Sequence, residues 1–391
     1  MKRSTNSVEV KRQNRNRVFR YVNGQAETSM PEISATLDIS GPTVLTIVNE
    51  LKEEGVLKEA GELKSTGGRK AKAIAAVKDI KYAVGIDLTA NHIGITYTDL
   101  SEKALKHVRI RKSFEYTNEY LDALAVFTRR FIEENAIPED KILGIGISMP
   151  CIIDKKEQLI TYSNALDIYN VSCSEWTEHF KYPAVLLNDA NCAAIAESAE
   201  HVNCGNMVYL MLSNTVGGAV MYENSNVIMT AGNELEAVDM YRGDNWRSAE
   251  FGHMVIHPGG RTCYCGKKGC FEKYASMKAL KTNLRQILDL DEKTRGQELL
   301  DIIRKNPKDE KINKVINEYI EYLSIGISNL INIFEPEAIG IGGSFVYFSD
   351  VLLDRLIQNI IKKQYLFNKR EELIIIPAAL GNDAGIIGSV I

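Results

Sequence analysis

Residues 250–276 have the sequence EFGHMVIHPGGRTCYCGKKGCFEKYAS, in which His253 and three cysteines lie within eighteen positions. The candidate metal ligands in it are His253, Cys263, Cys265 and Cys270. Three thiolates and one imidazole suit a tetrahedral zinc ion, and the clustered glycines let the loop wrap it. Because protein would fill all four positions, such an ion is structural rather than catalytic. Reduced cysteines in a surface loop are the alternative, but Cys-x-Cys-Gly-x-x-Gly-Cys rarely arises by chance.

Composition excludes several classes of protein. The chain has 391 residues, 45% hydrophobic and 25% charged, which predicts a globular protein of two or three domains. No apolar run approaches the ~18–20 residues of a transmembrane helix. The basic start of the chain lacks the apolar segment of a secretory signal. Seven cysteines form an odd set, which disfavours a disulfide framework and favours a reducing cytoplasm. Membrane, secreted, fibrous and disordered classes are therefore excluded.

Charge is distributed unevenly along the chain. Residues 1–72 carry 13 Lys and Arg against 9 Asp and Glu, whereas the remainder carries 34 against 42. The first twenty residues alone hold 7 basic and 1 acidic side chain. A basic head on an acidic body indicates that the head meets a polyanion. A solvated basic tail is the alternative, which charge alone leaves open.

The head contains three short helical patterns. Val18 and Val22 mark the first, and the capping-box sequence at 29–32 opens the second, in which Ile33 and Leu37 are spaced i, i+4. The third has one apolar face, formed by Val44, Ile47, Val48 and Leu51. The basic, Gly-rich segment 56–70 then predicts two strands around a turn.

Two helices joined by a short turn and followed by a basic β-wing form the winged helix-turn-helix plan. The candidate DNA-contacting residues are Thr43, Thr46 and Asn49 on the third helix, with Arg69 and Lys70 in the wing. A small helical packing domain without DNA contact is the alternative. The motif and the charge asymmetry agree, and together they favour DNA binding.

From Tyr82 onward, apolar runs of buried-strand length alternate with helical patterns, which predicts an α/β body. About 310 residues should form two lobes. We expect residues 1–78 to form the DNA-binding domain and 79–187 the first lobe. Residues 188–375 would form a second, larger lobe with the candidate zinc ligands, and residues from about 376 to 391 would return to the first.

The 250–276 stretch also resembles the signature of the ROK family, which comprises repressors, open reading frames and sugar kinases. The block at 188–194 (NDANCAA) matches the family's Asn-Asp-Ala-Asn block, and GISMPCIID at 146–154 parallels its GxxxPGxVD segment. Residues 335–344 and 379–389 match its C-terminal stretch. The resemblance spans essentially the whole chain and implies a two-lobed, actin-like sugar-kinase fold with a structural zinc. The winged helix-turn-helix is the extension that family repressors carry and family kinases usually lack.

The resemblance also implies a sugar site. Its residues would be Asn164, Asn188, Asp189, Glu250, His253 and Glu272. Asp189 would face the sugar's reacting hydroxyl and act as general base in an active kinase, while His253 would also bind the zinc. Carboxylates, amides and an imidazole can read a ring of hydroxyls, and such a site rejects analogues that lack one. A solvated surface charge is the alternative for any single carboxylate, but not for three at the motif's spacing.

The two turns that hold ATP phosphates in family kinases, written DxGGTK and GTGxGGG, are degenerate here. In residues 87–92 (DLTANH) both glycines and the threonine of the first turn are missing from their expected places. In residues 213–219 (SNTVGGA) Asn replaces the threonine of the second turn, Thr replaces the glycine after it, and Ala replaces the last glycine. Each added Cβ obstructs the approach of backbone amides to phosphate. The turns therefore predict that the chain does not bind ATP and Mg²⁺. They indicate a sensor that kept sugar recognition and lost phosphoryl transfer.

These patterns together predict a cytoplasmic, sugar-responsive DNA-binding regulator, a repressor of carbohydrate-metabolism genes. It would bind a pseudo-palindromic operator as a homodimer or tetramer and have no membrane partner. One rival is an ATP-dependent hexose or N-acetylhexosamine kinase with a DNA-binding domain. Another is a zinc-stapled sugar-binding protein whose head binds protein. The sugar stays open among glucose, xylose, N-acetylglucosamine and an oligosaccharide.

Overall fold

The computed structural model describes residues 7–62, 71–200, 206–222, 240–241, 243, 248–362, 374–380 and 384–390. The helices are α1 (Ser7–Gly24), α2 (Met30–Leu37), α3 (Gly41–Glu53), α4 (Asn118–Glu134), α5 (Ser174–Thr177), α6 (Asp189–Glu200), α7 (Glu272–Ala275), α8 (Met277–Ile287), α9 (Gly296–Lys305), α10 (Glu310–Phe334), α11 (Ser349–Lys362) and α12 (Ala384–Gly388). The strands are β1 (Leu57–Glu62), β2 (Lys72–Ala76), β3 (Tyr82–Leu88), β4 (His92–Asp99), β5 (Lys106–Arg111), β6 (Ile142–Met149), β7 (Ile152–Asp154), β8 (Leu159–Ser163), β9 (Ile168–Ser172), β10 (Ala184–Asn188), β11 (Met207–Leu212), β12 (Val216–Met221), β13 (Met240–Tyr241), β14 (Ala338–Gly342) and β15 (Ile374–Pro377). Within these ranges no helix is both long and apolar enough to cross a bilayer.

The head folds as three helices and an antiparallel strand pair, β1 and β2, as the winged helix-turn-helix pattern predicted. The predicted position of the second strand was wrong, because β2 begins at Lys72, beyond the segment 56–70. Val18 and Val22 of α1 are buried against Ile33 of α2 and the apolar face of α3. The buried residues of α3 are Val44, Ile47, Val48 and Leu51, which confirms the predicted face. At the start of α2, the hydroxyl of Ser29 accepts a hydrogen bond from the Glu32 amide at 3.4 Å.

Part of the basic charge of α1 is paired inside the head. The ammonium of Lys11 lies 2.7 Å from a carboxylate oxygen of Glu50, and the guanidinium of Arg15 bonds both carboxylate oxygens of Glu54. Exposed pairs of this kind contribute about 0–1 kcal/mol each to stability. They dock α1 onto α3, so these two cations serve the fold of the head and not only its charge.

The first lobe is built around a five-stranded sheet in the order β10-β6-β3-β4-β5. Strands β3, β6 and β10 run parallel, whereas β4 pairs antiparallel with β3 and β5 pairs antiparallel with β4. Helix α4 buries Tyr120, Leu121, Leu124 and Phe131 in the apolar core of this sheet. The smaller sheet β7-β8-β9 shares that core. The three parallel strands end together, which gathers their last side chains at one edge.

The second lobe is built around the sheet β13-β12-β11-β14-β15, in which β11, β14 and β15 run parallel. Helices α8, α10 and α11 bury their apolar faces with this sheet in one core. Gly326 of α10 allows the Phe271 ring to lie against the helix, because a Cβ there would overlap that ring. Helix α12, near the C-terminus, packs on α6 and on the first sheet. The predicted residue limits of the two lobes stay a prediction.

The head is hydrogen-bonded to the first lobe. The side-chain amide of Asn23, at the end of α1, donates to the Leu100 carbonyl at 2.7 Å. The ammonium of Lys78 donates to the Asn23 carbonyl at 2.5 Å and to its side-chain oxygen at 2.6 Å. Because Leu100 follows β4, the position of α1 is tied to an element of the first sheet.

Candidate functional site

A cavity of about 190 Å³ opens between the two lobes. We call it the Asn188 cavity. All of the predicted sugar-contacting residues line it, namely Asn164, Asn188, Asp189, Glu250, His253 and Glu272. The structure thus brings together side chains from segments that are more than a hundred residues apart in the chain. That they contact a sugar stays a prediction.

The junction of β10 with α6 positions two of these residues. Asn188 ends β10, its amide nitrogen donates to the Cys151 carbonyl at 2.8 Å, and its side-chain oxygen accepts from the Asn191 amide at 3.0 Å. Asp189 opens α6 and accepts a hydrogen bond from the Ala190 amide at 2.8 Å. Both residues therefore lie at the carboxyl ends of parallel strands, where ligands of α/β sheets bind.

Asp189 lies in a strongly perturbed electrostatic environment. Burial, together with the negative charges of Asp87 and Glu250, raises the pKa of Asp189 to about 7. The nearby Ser148 hydroxyl donates to the Asp87 carboxylate at 3.1 Å. A carboxyl group with such a pKa is partly protonated at neutral pH, so it can donate or accept a hydrogen bond and can accept a proton.

Two further carboxylates line the opposite part of the cavity. Glu272 is only 4% exposed, and it accepts hydrogen bonds from the Val216 amide at 3.2 Å and from the Tyr264 hydroxyl at 3.4 Å. Burial raises the pKa of Glu272. Glu250 is open to the cavity, but desolvation there, followed by the charge of Glu272, raises its pKa to about 7. The cavity therefore offers hydrogen-bond acceptors held close together.

The four predicted metal ligands form one cluster. The ligand atoms of His253, Cys263, Cys265 and Cys270 all lie within 4.8 Å of one another. The Sγ atoms of Cys265 and Cys270 are 3.6 Å apart, and the Cys263 Sγ is 3.6 Å from the His253 Nδ1. Zinc–ligand bonds of tetrahedral sites imply S–S edges of about 3.8 Å and S–N edges of about 3.6 Å. The cluster thus has the donor set and the dimensions that fit one zinc ion.

His253 connects this cluster to the cavity. Its Nδ1 faces the Cys263 thiol, whereas its Nε2 lies 3.3 Å from the Tyr264 hydroxyl. Burial, followed by the charges of Lys267 and Lys273, lowers the pKa of His253. Because metal ligation requires a neutral imidazole, this environment favours the ligating form.

The sequence analysis did not identify Tyr162 and Tyr264, which also line the cavity. Tyr162 precedes Asn164 by two residues, and its hydroxyl donates to the Asn164 side-chain oxygen at 3.1 Å. Burial raises the pKa of Tyr162 to about 12 and also raises that of Tyr264. Tyr264 stands between two of the candidate metal ligands, a signal in the sequence that could have placed it beside the cavity.

A second cavity of about 410 Å³ is lined by residues of the two degenerate turns. We call it the Thr89 cavity, and Asp189 lines both cavities. The hydroxyl of Thr89 accepts hydrogen bonds from the amides of Asn91 at 3.4 Å and His92 at 3.0 Å. In this turn, backbone amides of the kind that cradle a phosphate are bonded to a side chain of the turn itself.

The glycines that remain in the second turn, and Gly342 on the neighbouring strand β14, are accounted for by packing. A Cβ on Gly217 would crowd Ala190 at 2.9 Å, and one on Gly218 would crowd the Phe251 ring. A Cβ on Gly342 would overlap the Tyr209 side chain. The close packing of the second sheet therefore requires these glycines whether or not a nucleotide binds.

On the head, Thr46 and Asn49 of α3 are exposed and Thr43 is half-buried. The Thr43 hydroxyl lies 2.8 Å from that of Ser40, and the Thr46 hydroxyl donates to the Pro42 carbonyl at 3.0 Å. Asn49 therefore presents the least constrained polar group of the three. The two predicted wing contacts, Arg69 and Lys70, lie outside the described residues.

Comparison with known proteins assigns both parts of the chain. A sequence model of the ROK family matches residues 83–391, and one of winged helix-turn-helix DNA-binding domains matches residues 12–58. The chain is 29% identical over 388 residues to the xylose repressor of Bacillus spizizenii, covering 97% of this chain and 94% of that protein. It is 25% identical over 389 residues to the DNA-binding transcriptional dual regulator NagC of Escherichia coli, covering 96% and 91%.

Solved structures share the fold. A ROK family transcriptional regulator described as a homolog of the E. coli MLC protein superposes with a TM-score of 0.79 at 19% identity, covering 97% of this chain and 95% of that one. A ROK family glucokinase from Streptomyces griseus, in complex with glucose and AMPPNP, gives a TM-score of 0.64 at 21% identity. It covers 79% of this chain and 98% of its own. The regulator thus matches the chain over nearly its full length, and the kinase over a smaller part.

Proposed function

Because this chain belongs to the ROK family and begins with a winged helix-turn-helix, we propose that it is a sugar-responsive, DNA-binding repressor of carbohydrate-metabolism genes. One observation carries the proposal: the same chain joins a winged helix-turn-helix head to a cavity lined by the six polar residues of the predicted sugar site. The similarity to proteins named xylose repressor and NagC over nearly the whole chain supports it.

The effector would be an uncharged sugar. Carboxylates of Asp189, Glu250 and Glu272 and amides of Asn164 and Asn188 line the cavity. Carboxylates accept hydrogen bonds and amides both donate and accept, so the set complements a ring of hydroxyls. An analogue that lacks a hydroxyl would leave one of these groups unpaired and bind weakly.

Zinc would hold the loop that ends this cavity. His253, Cys263, Cys265 and Cys270 would be its ligands, and their spacing supports a closed tetrahedral site. The ion would supply structural stability and no chemistry. Through Nδ1 of His253 it would fix the orientation of an imidazole whose Nε2 faces the cavity.

Operator DNA would meet the head. Helix α3 would enter the major groove with Thr46 and Asn49 at base edges and Thr43 beside them, while Arg69 and Lys70 would contact phosphates or the minor groove. A homodimer, alone or paired into a tetramer, would bind a pseudo-palindromic operator. A repressor that acts on DNA in this way would work in the cytoplasm.

Sugar binding could reach the head through the first lobe. Asn164 and Asn188 come from first-lobe strands or the residues after them, whereas Glu250 and Glu272 come from the second lobe. A sugar that contacts both lobes would favour one arrangement of the lobes. The hydrogen bonds of Asn23 tie α1 to the first lobe and would carry that change to the head. The sugar must prefer one arrangement, since equal affinity for both would switch nothing.

A second candidate, an ATP-dependent sugar kinase with Asp189 as general base, is favoured by one observation. Asp189 lines both cavities and has a pKa raised to about 7, which suits a general base. Against it, the Thr89 hydroxyl occupies the turn's Asn91 and His92 amides, and the remaining glycines serve packing. We therefore rank the kinase second.

The test is operator binding measured against a panel of sugars. The full chain selects its operator from random duplex DNA, and fluorescence anisotropy then follows release by glucose, xylose and N-acetylglucosamine, each with and without Mg-ATP. Glu272→Gln should keep operator binding and lose the sugar response. The matched control is Glu292→Gln, which changes an exposed carboxylate outside the cavity and should behave as wild type.

Two results would contradict the proposal. Operator binding that no sugar alters, in wild type and control alike, would remove the sensor function. ADP release on adding a sugar with Mg-ATP would instead establish the kinase.

A further inference from the structure

Tyr264 occupies a position in the Asn188 cavity that the proposed function leaves unexplained. Its hydroxyl is 3.3 Å from Nε2 of His253 and 3.4 Å from Oε2 of Glu272, so it bridges two of the predicted sugar-contacting groups. A ligand hydroxyl that bonded both groups would have to sit at the same place. The phenol is therefore a substitute for a ligand hydroxyl, supplied by the protein.

The bridge engages one atom of each partner. Since Nδ1 of His253 faces the Cys263 thiol, Nε2 is the nitrogen left to face the cavity, and the Tyr264 hydroxyl is within reach of it. The Oε2 atom of Glu272 already accepts from the Val216 amide. While the phenol stays in place, Nε2 of His253 and Oε2 of Glu272 are already hydrogen-bonded, and the hydroxyl of Tyr264 is a further polar group at this end of the cavity.

The Tyr264 ring is held on several sides. The Lys273 ammonium lies 5.3 Å above its centroid, and the His253 ring meets it edge-on at 5.2 Å. The Tyr162 ring stacks on it with centroids 6.1 Å apart and planes 28° apart. Aromatic pairs and cation–π contacts of this geometry are favourable. A side chain with so many neighbours is a fixed wall rather than a freely rotating group.

The stacked pair joins the two lobes. Tyr162 lies on β8, whose sheet shares the first-lobe core, whereas Tyr264 lies between Cys263 and Cys265 in the second lobe. Tyr264 is 37% exposed and Tyr162 is half-buried, so the pair stands between the cavity and solvent. A ligand that continued outward past His253 and Glu272 would have to pass through both rings.

We propose that Tyr264 is a specificity-determining residue that ends the cavity at the His253–Glu272 pair and restricts it to a single sugar ring without a substituent there. The inference rests on the proposed sugar binding. It narrows the ligand classes that the sequence left open, because an oligosaccharide that extends through this end is excluded. The hydroxyl of Tyr264 would be a hydrogen-bond partner for the bound sugar ring. The aromatic ring of Tyr264 would exclude a sugar substituent at this end of the cavity.

The experiment separates the hydroxyl from the ring. Wild type, Tyr264→Phe, Tyr264→Ala and the control Tyr347→Ala, an exposed tyrosine outside the cavity, are titrated calorimetrically with three pairs of probes. The pairs are glucose with cellobiose, xylose with xylobiose, and N-acetylglucosamine with diacetylchitobiose. Melting of each ligand-free protein checks folding, and alanine keeps the backbone freedom of the loop unchanged, unlike glycine.

Wild type and Tyr347→Ala should bind at least one monosaccharide and prefer it over its disaccharide by about tenfold or more, equivalent to about 1.4 kcal/mol. Tyr264→Phe should keep that preference but bind the monosaccharide about 2- to 10-fold more weakly, the worth of one hydrogen bond. Tyr264→Ala should lose the preference.

An unchanged preference in Tyr264→Ala, or a disaccharide preference in wild type, would overturn the inference. In either case sugar would still release operator DNA, so the proposed function would survive. If no probe bound any of the four proteins and no sugar altered operator binding, both the inference about Tyr264 and the proposed function would be wrong.

Discussion

Replacing Asp189 by asparagine should change how stability depends on pH. Burial raises the pKa of Asp189 from 3.8 to about 7, so the folded chain holds a proton there that the unfolded chain has lost. Stability then falls as pH rises, because ∂ΔG/∂pH is negative wherever the folded state binds more protons. The contribution is fully present below about pH 4 and is lost as pH rises through 7. Between pH 5 and 8 the loss amounts to about 3 kcal/mol.

Asp189→Asn removes this titration but keeps an oxygen that can accept from the Ala190 amide. The assay is urea unfolding of the full chain at pH 5, 6, 7 and 8. Wild type should lose about 3 kcal/mol more than the variant across this range. Glu250 is present in both proteins, so its own burial contributes to both slopes. Asp354→Asn, on an exposed position of α11, is the matched control and should keep the wild-type slope. Parallel curves for wild type and Asp189→Asn would refute the electrostatic reasoning about the cavity.

Three further changes have defined outcomes. Cys270→Ser should lower bound zinc, measured by atomic emission, from about one ion per chain to near zero and lower the melting temperature; full retention of zinc would contradict the ligand assignment. Asn49→Ala should weaken operator binding in an anisotropy titration by about 5- to 150-fold, or 1–3 kcal/mol, while binding to random DNA changes little; equal losses on both DNAs would argue against base contact. Gly326→Ala should destabilise the chain to urea by about 1–3 kcal/mol, because the added Cβ overlaps the Phe271 ring; an unchanged midpoint would mean that the ring moves freely.

Local sequence patterns were sufficient to predict the fold of the head and the grouping of the candidate metal ligands. The buried face of α3 follows from i, i+3, i+4 spacing over eight residues, a range within which the helix alone decides which side chains share a face. His253 and Cys270 are separated by a short, glycine-rich loop, so the spacing itself limits how far apart the ligands can lie. Features of this kind are encoded close together in the chain.

The cavity could not be predicted from spacing. Asn164, Asn188 and Glu272 come from three separate segments, and only the resemblance to a family put them in one site. The pairing of Tyr162 with Tyr264 lies beyond both approaches, because it depends on how two lobes meet. The raised pKa of Asp189 has the same origin, since its burial is a property of the assembled cavity.

The distinction between sensor and kinase depends on what each glycine and amide does in the folded chain. A count of glycines at residues 213–219 and 342–343 suggests a partly preserved phosphate cradle. The structure assigns Gly217, Gly218 and Gly342 to packing instead, so their retention carries no argument for nucleotide binding. At the other turn, the Thr89 hydroxyl accepts hydrogen bonds from two backbone amides. A phosphate would have to displace this hydroxyl in order to bind those amides. A chain can thus keep the sheet and the glycines of a kinase because its two lobes need them to pack, so these features alone do not identify a kinase.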